Sequence, residues 1–468
     1  MTEHTLSVNG AVLKTQSVFP VIDPATGESF AACPRPTLEQ IDEAINSAQN
    51  AFFSWSALSQ IERQDLIRIC GDRLDQKADE IAALLTKEQG KTLKEAKREV
   101  AGLGYYFRLT AGMEIPEEVI EDTDDRLIKV VHKPLGVVAA ISAWNYPLLL
   151  AAWKIAPAVS VGNTIVIKPS PDTPLSTMAM VNVLAEVLPP GVVNVVTGHE
   201  EEGQYLVTHP KVRKVTFTGS VPVGKIINSH AASDLKRITL ELGGNDAAII
   251  LKDCDPKAIA PGIFWSAFSN NGQTCVAIKR VYVHEDIHDE LVSEVTKIAQ
   301  QVKLGAGTDP AAKLGPVCNA GQQKRVHDLV EDARTNGATV HCGGAIPEGP
   351  GYFYPPTIVS GVNEGVRLVD EEQFGPALPF IRYKDLDEAI ASANNSDFGL
   401  GGSIWSKDLD FGASLLPRLD CGTAWLNTHA DFCMTAPFGG AKDSGIDVEN
   451  GIDGLRSFTQ KQVLSMKK

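Results

Sequence analysis

Several features that would settle the function at once are missing. The eight cysteines, at positions 33, 70, 254, 275, 318, 342, 421 and 433, form no CxxC pair and no Cys/His group with zinc-ligand spacing. That argues against a disulfide-stapled scaffold and a bound metal, and it fits a reducing compartment. Positive charge is in deficit: 43 Lys and Arg against 58 Asp and Glu leave a net charge of −15 and a pI near 5.2. Such a chain repels nucleic acid and anionic membranes, so neither is expected as a partner. No uninterrupted apolar run reaches the ~18 residues of a membrane-spanning helix. The start, Met1-Thr2-Glu3-His4-Thr5, has neither the basic nor the apolar block of a signal peptide. There are no repeats, no low-complexity stretches, and no GxGxxG dinucleotide fingerprint. The expectation is a soluble, cytoplasmic protein.

What remains is ordinary globular composition, 43% hydrophobic and 22% charged over 468 residues. That length predicts roughly two to four domains with sizeable cores. The first residues read as short strands broken at Asp23-Pro24-Ala25-Thr26-Gly27, a turn signal. Thr37-Leu38-Glu39-Gln40 and Ser59-Gln60-Ile61-Glu62 are capping boxes that open helices. A third helix starts near Asp79, and an amphipathic stretch covers Leu93 to Phe107. An acidic patch, Glu117 to Asp125, then leads into a β-ribbon around Arg126 to Lys133.

From Gly136 the pattern changes to short apolar runs separated by helices: Val137 to Ile141, Thr164 to Ile167, Val192 to Val196, Lys214 to Phe217 and Ile238 to Leu242. Runs this short and continuous read as parallel strands buried on both faces. Asp246 to Leu251 and Lys279 to His284 begin a second series. Two α/β domains joined near Gly243-Gly244 follow, and a site between them would suit an enzyme with two ligands.

Six segments carry polar chemistry at suggestive places. Cys275 closes a Gly-containing turn, Asn270-Asn271-Gly272-Gln273-Thr274-Cys275; free cysteine is more often a small buried hydrophobe. Asn145 and Lys168 each follow a strand end, where open α/β sheets place ligands, though both also read as ordinary turn or surface residues. Gly219-Ser220 lies between a strand and a helix start, a place suited to pyrophosphate. Glu241 ends an apolar strand, where burial should raise its pKa and fit it as a base; a structural ion pair reads equally well. Glu371-Glu372 precedes a Gly-Pro turn and offers acceptors for ribose hydroxyls, or is solvated surface. A cofactor-free cysteine hydrolase and a silent scaffold compete with an oxidoreductase at this point, and no His lies close in sequence to Cys275.

Taken together, Trp144-Asn145-Tyr146-Pro147, Lys168-Pro169-Ser170, Phe217-Thr218-Gly219-Ser220, Leu240-Glu241-Leu242-Gly243-Gly244, Gly272-Gln273-Thr274-Cys275, Glu371-Glu372-Gln373-Phe374-Gly375-Pro376 and Pro437-Phe438-Gly439-Gly440 resemble the aldehyde dehydrogenase superfamily, in its order and spacing. Glu88-Gln89-Gly90-Lys91 with Glu95-Ala96 also fits. The resemblance implies an α/β fold with two parallel-sheet domains and a β-ribbon oligomerisation element. Its expected parts are a cofactor-binding domain at 1–116 and 135–243, a catalytic domain at 244–443, and bridging segments at 117–134 and 444–468. It implies Cys275 as nucleophile, Asn145 as oxyanion donor and Glu241 as the base that marks hydrolytic members. It implies cofactor contacts at Lys168, Ser220, Trp144, Gly219, Val223, Glu372, Phe374 and Gln322. The implied substrate channel is Tyr146, Leu149, Leu150, Trp153, Thr274, Val276, Phe432 and Phe438; none is charged, so the expected substrate is an uncharged aliphatic or aromatic aldehyde.

Two departures matter. Many NAD-preferring members carry glutamate three residues after the lysine, where this chain has Pro171. Proline neither repels a 2′-phosphate nor accepts from a 2′-hydroxyl, so NAD is expected with NADP open. Lys442 to Asn450 replaces the commoner Gly-Arg-Glu ending, which weakens transfer of substrate identity. The implied assembly is a homodimer or homotetramer.

Overall fold

The computed structural model describes residues 5–468; the reading of the first four lies outside the described residues. Two open sheets dominate. The first runs, edge to edge, Gly445–Ile446, Arg237–Glu241, Val212–Thr218, Val137–Ile141, Thr164–Lys168, Val193–Val195. All neighbours are parallel except Gly445–Ile446 against Arg237–Glu241. The second runs Thr339–Cys342, Thr357–Ser360, Ala377–Tyr383, Arg280–His284, Ala247–Ile250, Gly401–Trp405, Thr423–Leu426, with only the first pair antiparallel. Helices cover both sheets. Thr164–Lys168 and Ala247–Ile250 are buried at every position, as sheets covered on both faces require.

Strand order places the site. From Val137–Ile141 the first sheet grows one way through Thr164–Lys168, then reverses to Val212–Thr218 and Arg237–Glu241. Ligands bind open α/β sheets in the crevice at such a reversal, outside the carboxyl ends of the strands. Asn145, Lys168, Gly219-Ser220 and Glu241 all emerge from that one edge.

A third sheet, Glu118–Asp122, Arg126–Pro134 and Thr459–Lys467, is the expected ribbon with the chain's last strand paired to it. The bridging segment expected at 444–468 is divided, however. Only Thr459–Lys467 joins the ribbon; Gly445–Ile446 pairs with Arg237–Glu241 and covers an edge that would otherwise be left open. Local signals held at Thr37 and Ser59, whose capping boxes are both formed. Thr173 stands at the N-cap before Pro174, but its side chain makes no cap bond. The buried Glu88 carboxylate replaces it, accepting from the Leu175 and Ser176 N–H groups at 2.7 and 2.9 Å. A carboxylate brought from a distant helix caps two N–H groups at once, and it suits the positive end of the helix dipole.

Candidate active site

The loop that ends at Cys275 is held in an unusual backbone. Asn270, Asn271 and Gly272 lie consecutively in the left-handed region, with φ of 52°, 54° and 75°. Asparagine and glycine tolerate that region where other residues strain. A Cβ at Gly272 would stand 2.5 Å from the Gly375 carbonyl oxygen, so the glycine also admits a close backbone approach. Side chains lock the turn. Gln273 Nε2 donates to the Asn270 carbonyl, and its Oε1 accepts from Cys318 N–H. Asn271 Nδ2 donates to the Gly315 carbonyl.

Cys275, at the end of this loop, lines a cavity of about 660 Å³ together with Asn145 and Glu241. Asn145 Nδ2 donates to the Gln273 carbonyl at 3.0 Å, which ties the amide to the segment before the thiol. Glu241 Oε1 is buried with no protein partner and so is free to meet water or ligand. Burial holds the Glu241 carboxyl well above the usual carboxylate range, and the nearby Glu449 charge adds to this against Lys154. The thiol departs from a simple activated-cysteine picture. Burial pushes Cys275 up to about 12, with Lys279 opposing and Glu241 adding. The resting residue is therefore a protonated thiol, and its activation must come from what binds beside it.

The channel residues Tyr146, Leu149, Leu150, Trp153, Thr274, Phe432 and Phe438 all line the cavity. Val276 does not: its side chain is fully buried in the apolar core behind the loop, because it follows the turn into the protein interior. Trp153, Phe432 and Phe438 form a trio with edge-on ring contacts at centroid distances of 5.8, 5.8 and 5.1 Å.

The crevice residues have spare polar capacity of the kind a dinucleotide needs. Lys168 is buried and its one bond is a long 3.4 Å contact to the Pro169 carbonyl. Burial pushes its ammonium down to about 8. Free donors there suit ribose hydroxyls. Glu372 Oε1 accepts from Gly244 N–H at 3.0 Å and faces Lys279 Nζ at 3.4 Å. A Cβ at Gly243 would stand 2.2 Å from Glu372 Oε2, so only glycine admits the carboxylate here. Ser220 caps the Val221–Ala232 helix in position but makes no side-chain cap bond, leaving first-turn N–H groups for an anion. Gly219 precedes it, and Val223 is exposed on the same first turn. Trp144 packs edge-on against Phe374 at 5.3 Å, closing the crevice near the thiol loop. Gln322 is spent differently from the expectation: its Nε2 holds the Gln373 and Phe374 carbonyls at 2.7 and 2.9 Å, which leaves only Oε1 for a ligand.

Two groups lining the cavity, His429 and Trp265, and one buried behind its wall, Lys154, were missed in the sequence. Lys154 Nζ donates to Glu449 and Thr218 at 2.6 and 2.7 Å, entirely buried, beside Glu241. One cue was present: Lys154 is a lone charge in a helix otherwise apolar from Pro147 to Ser160. His429 lines the cavity, with Nδ1 2.9 Å from Ser403 Oγ and Nε2 3.4 Å from Asp246 Oδ2. The third, Trp265, forms part of the outer wall.

The comparisons agree with this geometry. The model of the aldehyde dehydrogenase family matches residues 12–464. The chain belongs to the aldehyde dehydrogenase family and is an oxidoreductase of that class. Phenylacetaldehyde dehydrogenase of Pseudomonas fluorescens is 36% identical, over 98% of this chain and 95% of its own. The NAD+ complex of an aldehyde dehydrogenase from Bacillus cereus superposes with a TM-score of 0.97 at 34% identity, covering 100% of this chain and 97% of that one. An NADP-dependent enzyme of E. coli gives a TM-score of 0.96 at 33% identity, over 99% and 98% of the two chains.

Proposed function

We propose that this chain oxidises an uncharged aliphatic or aromatic aldehyde to its carboxylic acid through a covalent Cys275 adduct, with NAD as first-choice acceptor. The observation that carries this is one cavity holding Cys275, Asn145 and Glu241 inside mostly apolar and aromatic walls, to which Glu449 and His429 also contribute. Cys275, its thiol proton released to solvent, attacks the aldehyde carbon through Sγ and gives a thiohemiacetal. The Asn145 amide and the Cys275 N–H receive the new oxyanion; losing one such donor costs about 3–4 kcal/mol in comparable sites. Lys168, Glu372 and the turn at Ser220 would hold a dinucleotide in the crevice, whose nicotinamide would accept the hydride; the group left on Cys275 would then be a thioester. Glu241 takes a proton from water, the hydroxide attacks the thioester carbon, and the Cys275 sulfur leaves as the acid is released.

The walls argue for the substrate class. Glu449 is the further carboxylate there, and Lys154 pairs with it at 2.6 Å. Among the described residues no lysine or arginine lines the cavity to pair with an acid semialdehyde, and His429 already faces Asp246. The aromatic trio suits an aryl or alkyl group. The named activity of the Pseudomonas relative, on phenylacetaldehyde, falls in the same class. Hexanal, benzaldehyde and phenylacetaldehyde should exceed succinic semialdehyde in kcat/KM by about 10-fold or more, the worth of a hydrophobic pocket against an unpaired charge. Assays at 340 nm with NAD and NADP in parallel check this, and a preference for the acid semialdehyde would end the substrate reading. Pro171 leaves the phosphate-bearing cofactor open, so both arms are needed.

The ribbon of residues 117–134 is read as an oligomer contact in a homodimer or homotetramer. It exposes Val119 and Ile120, and the last strand paired to it exposes Val463, apolar side chains on strands with unpaired edges. Light scattering at working concentration should show a dimer or tetramer; a monomer would contradict it. Among the described residues no helix is long and apolar enough to cross a membrane, and all eight cysteines are free thiols. Free thiols of this number fit the reducing cytoplasmic setting we propose.

A further inference from the structure

We propose that Lys91, acting with Glu99, is a positioning residue that fixes Asn145 for oxyanion binding. The inference rests on the reading of Asn145 given above. Lys91 Nζ donates to Glu99 Oε2 at 2.6 Å and to the Asn145 backbone carbonyl at 2.8 Å. Glu99 Oε1 in turn accepts from the Leu148 and Leu149 N–H groups at 3.1 and 3.2 Å. One buried pair thus holds both the residue that carries the amide and the first turn of the helix that follows it. A second donor, Asn270 Nδ2, reaches the same Asn145 carbonyl at 2.9 Å from inside the nucleophile loop. The Asn145 amide then bonds back to Gln273. Lys91 also lies over the Tyr146 ring, 3.9 Å from its centroid.

Stability alone does not explain the pair. Both side chains are almost wholly inaccessible, at 0% and 1% exposure. Apolar replacement of such buried pairs is often neutral or stabilising, so burial of the pair is weak evidence of a role in stability. What the two side chains touch is the loop that bears the oxyanion donor. Position there matters because a misplacement of ~1 Å remote from the chemistry can cost about 10²-fold in rate.

The test is the paired variant Lys91→Met with Glu99→Gln. It removes both charges together, and the glutamine oxygen still accepts from Leu148 and Leu149. We expect kcat to fall about 10- to 100-fold while both KM values stay within about twofold, the mark of an interaction made in the transition state. The same change placed in an Asn145→Ala background should cost nothing further, because Lys91 acts through Asn145. If the paired variant does not fold, Asn270→Gly takes its place: it removes the second donor to the same carbonyl and glycine accepts that φ of 52°. Unchanged kcat, or an equal loss in the Asn145→Ala background, overturns the proposal. If Asn145→Ala alone keeps full turnover, the oxyanion reading itself fails; if that variant is impaired and the pair variant is not, only this inference does.

Discussion

Cys275→Ala should lower aldehyde-dependent cofactor reduction by about 10⁴-fold or more, since removing a nucleophile leaves only binding and polarisation. Cofactor affinity, read by fluorescence quenching, should be unchanged, because the crevice groups Lys168, Ser220 and Glu372 do not depend on the sulfur. Seven other cysteines make the assignment testable. Burial raises Cys33, Cys70, Cys254 and Cys318, which makes them poor nucleophiles. Cys433 is the real competitor. It is exposed, its Sγ lies 3.2 Å from Thr435 Oγ1, and that contact lowers its pKa. In the resting protein at neutral pH, iodoacetamide should therefore label Cys433 before Cys275, whose thiol burial holds near 12. Cys433→Ala should keep full turnover. Turnover surviving in Cys275→Ala, or lost in Cys433→Ala, would move the chemistry to a different sulfur.

That contrast shows what a sequence can and cannot disclose. Cys275, Asn145, Lys168 and Glu241 were legible because each follows a strand end or tight turn within a few residues, and the strands themselves read as short apolar runs. Such features are local. The reversal of strand order that gathers them is not local, and only the folded chain discloses it. The missed residues share one property. Lys154 meets Glu449 across 295 positions, and Lys91 meets Asn145 across 54. No periodicity joins them. His429 reaches the Cys275 cavity through the loop after Thr423–Leu426, so the absence of a histidine near Cys275 in sequence said nothing about space. Val276 failed for the opposite reason. Adjacency to Cys275 suggested the channel, but the turn directs the next side chain into the core. Thr173 stands at an N-cap position without making the cap bond, and Glu88, a carboxylate from a helix far off in sequence, supplies it.

Glu241→Gln should split the reaction in two. Acylation needs Cys275 and Asn145, so the first turnover proceeds and gives a burst near one reduced cofactor per active site. Hydrolysis of the thioester needs the base, so the steady rate should then fall about 10²- to 10⁴-fold, the range of general-base catalysis. The pH dependence has a definite sign. Burial, foremost, and the Glu449 charge hold the Glu241 proton to higher pH than a solvated carboxyl, with Lys154 opposing. Only the ionised form accepts a proton from water. In the parent enzyme the deacylation rate should therefore climb with pH above the ordinary carboxylate range and level off once Glu241 has ionised. In the glutamine variant that limb should vanish, because no titrating base remains. Hydroxylamine, which needs no general base, should discharge the stalled thioester and restore turnover in the variant as the hydroxamic acid. Stopped-flow absorbance at 340 nm across pH 5 to 9 reads all three effects. A slow variant without a burst would place Glu241 in the acylation step instead. A pH limb unchanged by the substitution would mean that another group, with Glu449 the nearest carboxylate partner, supplies the base.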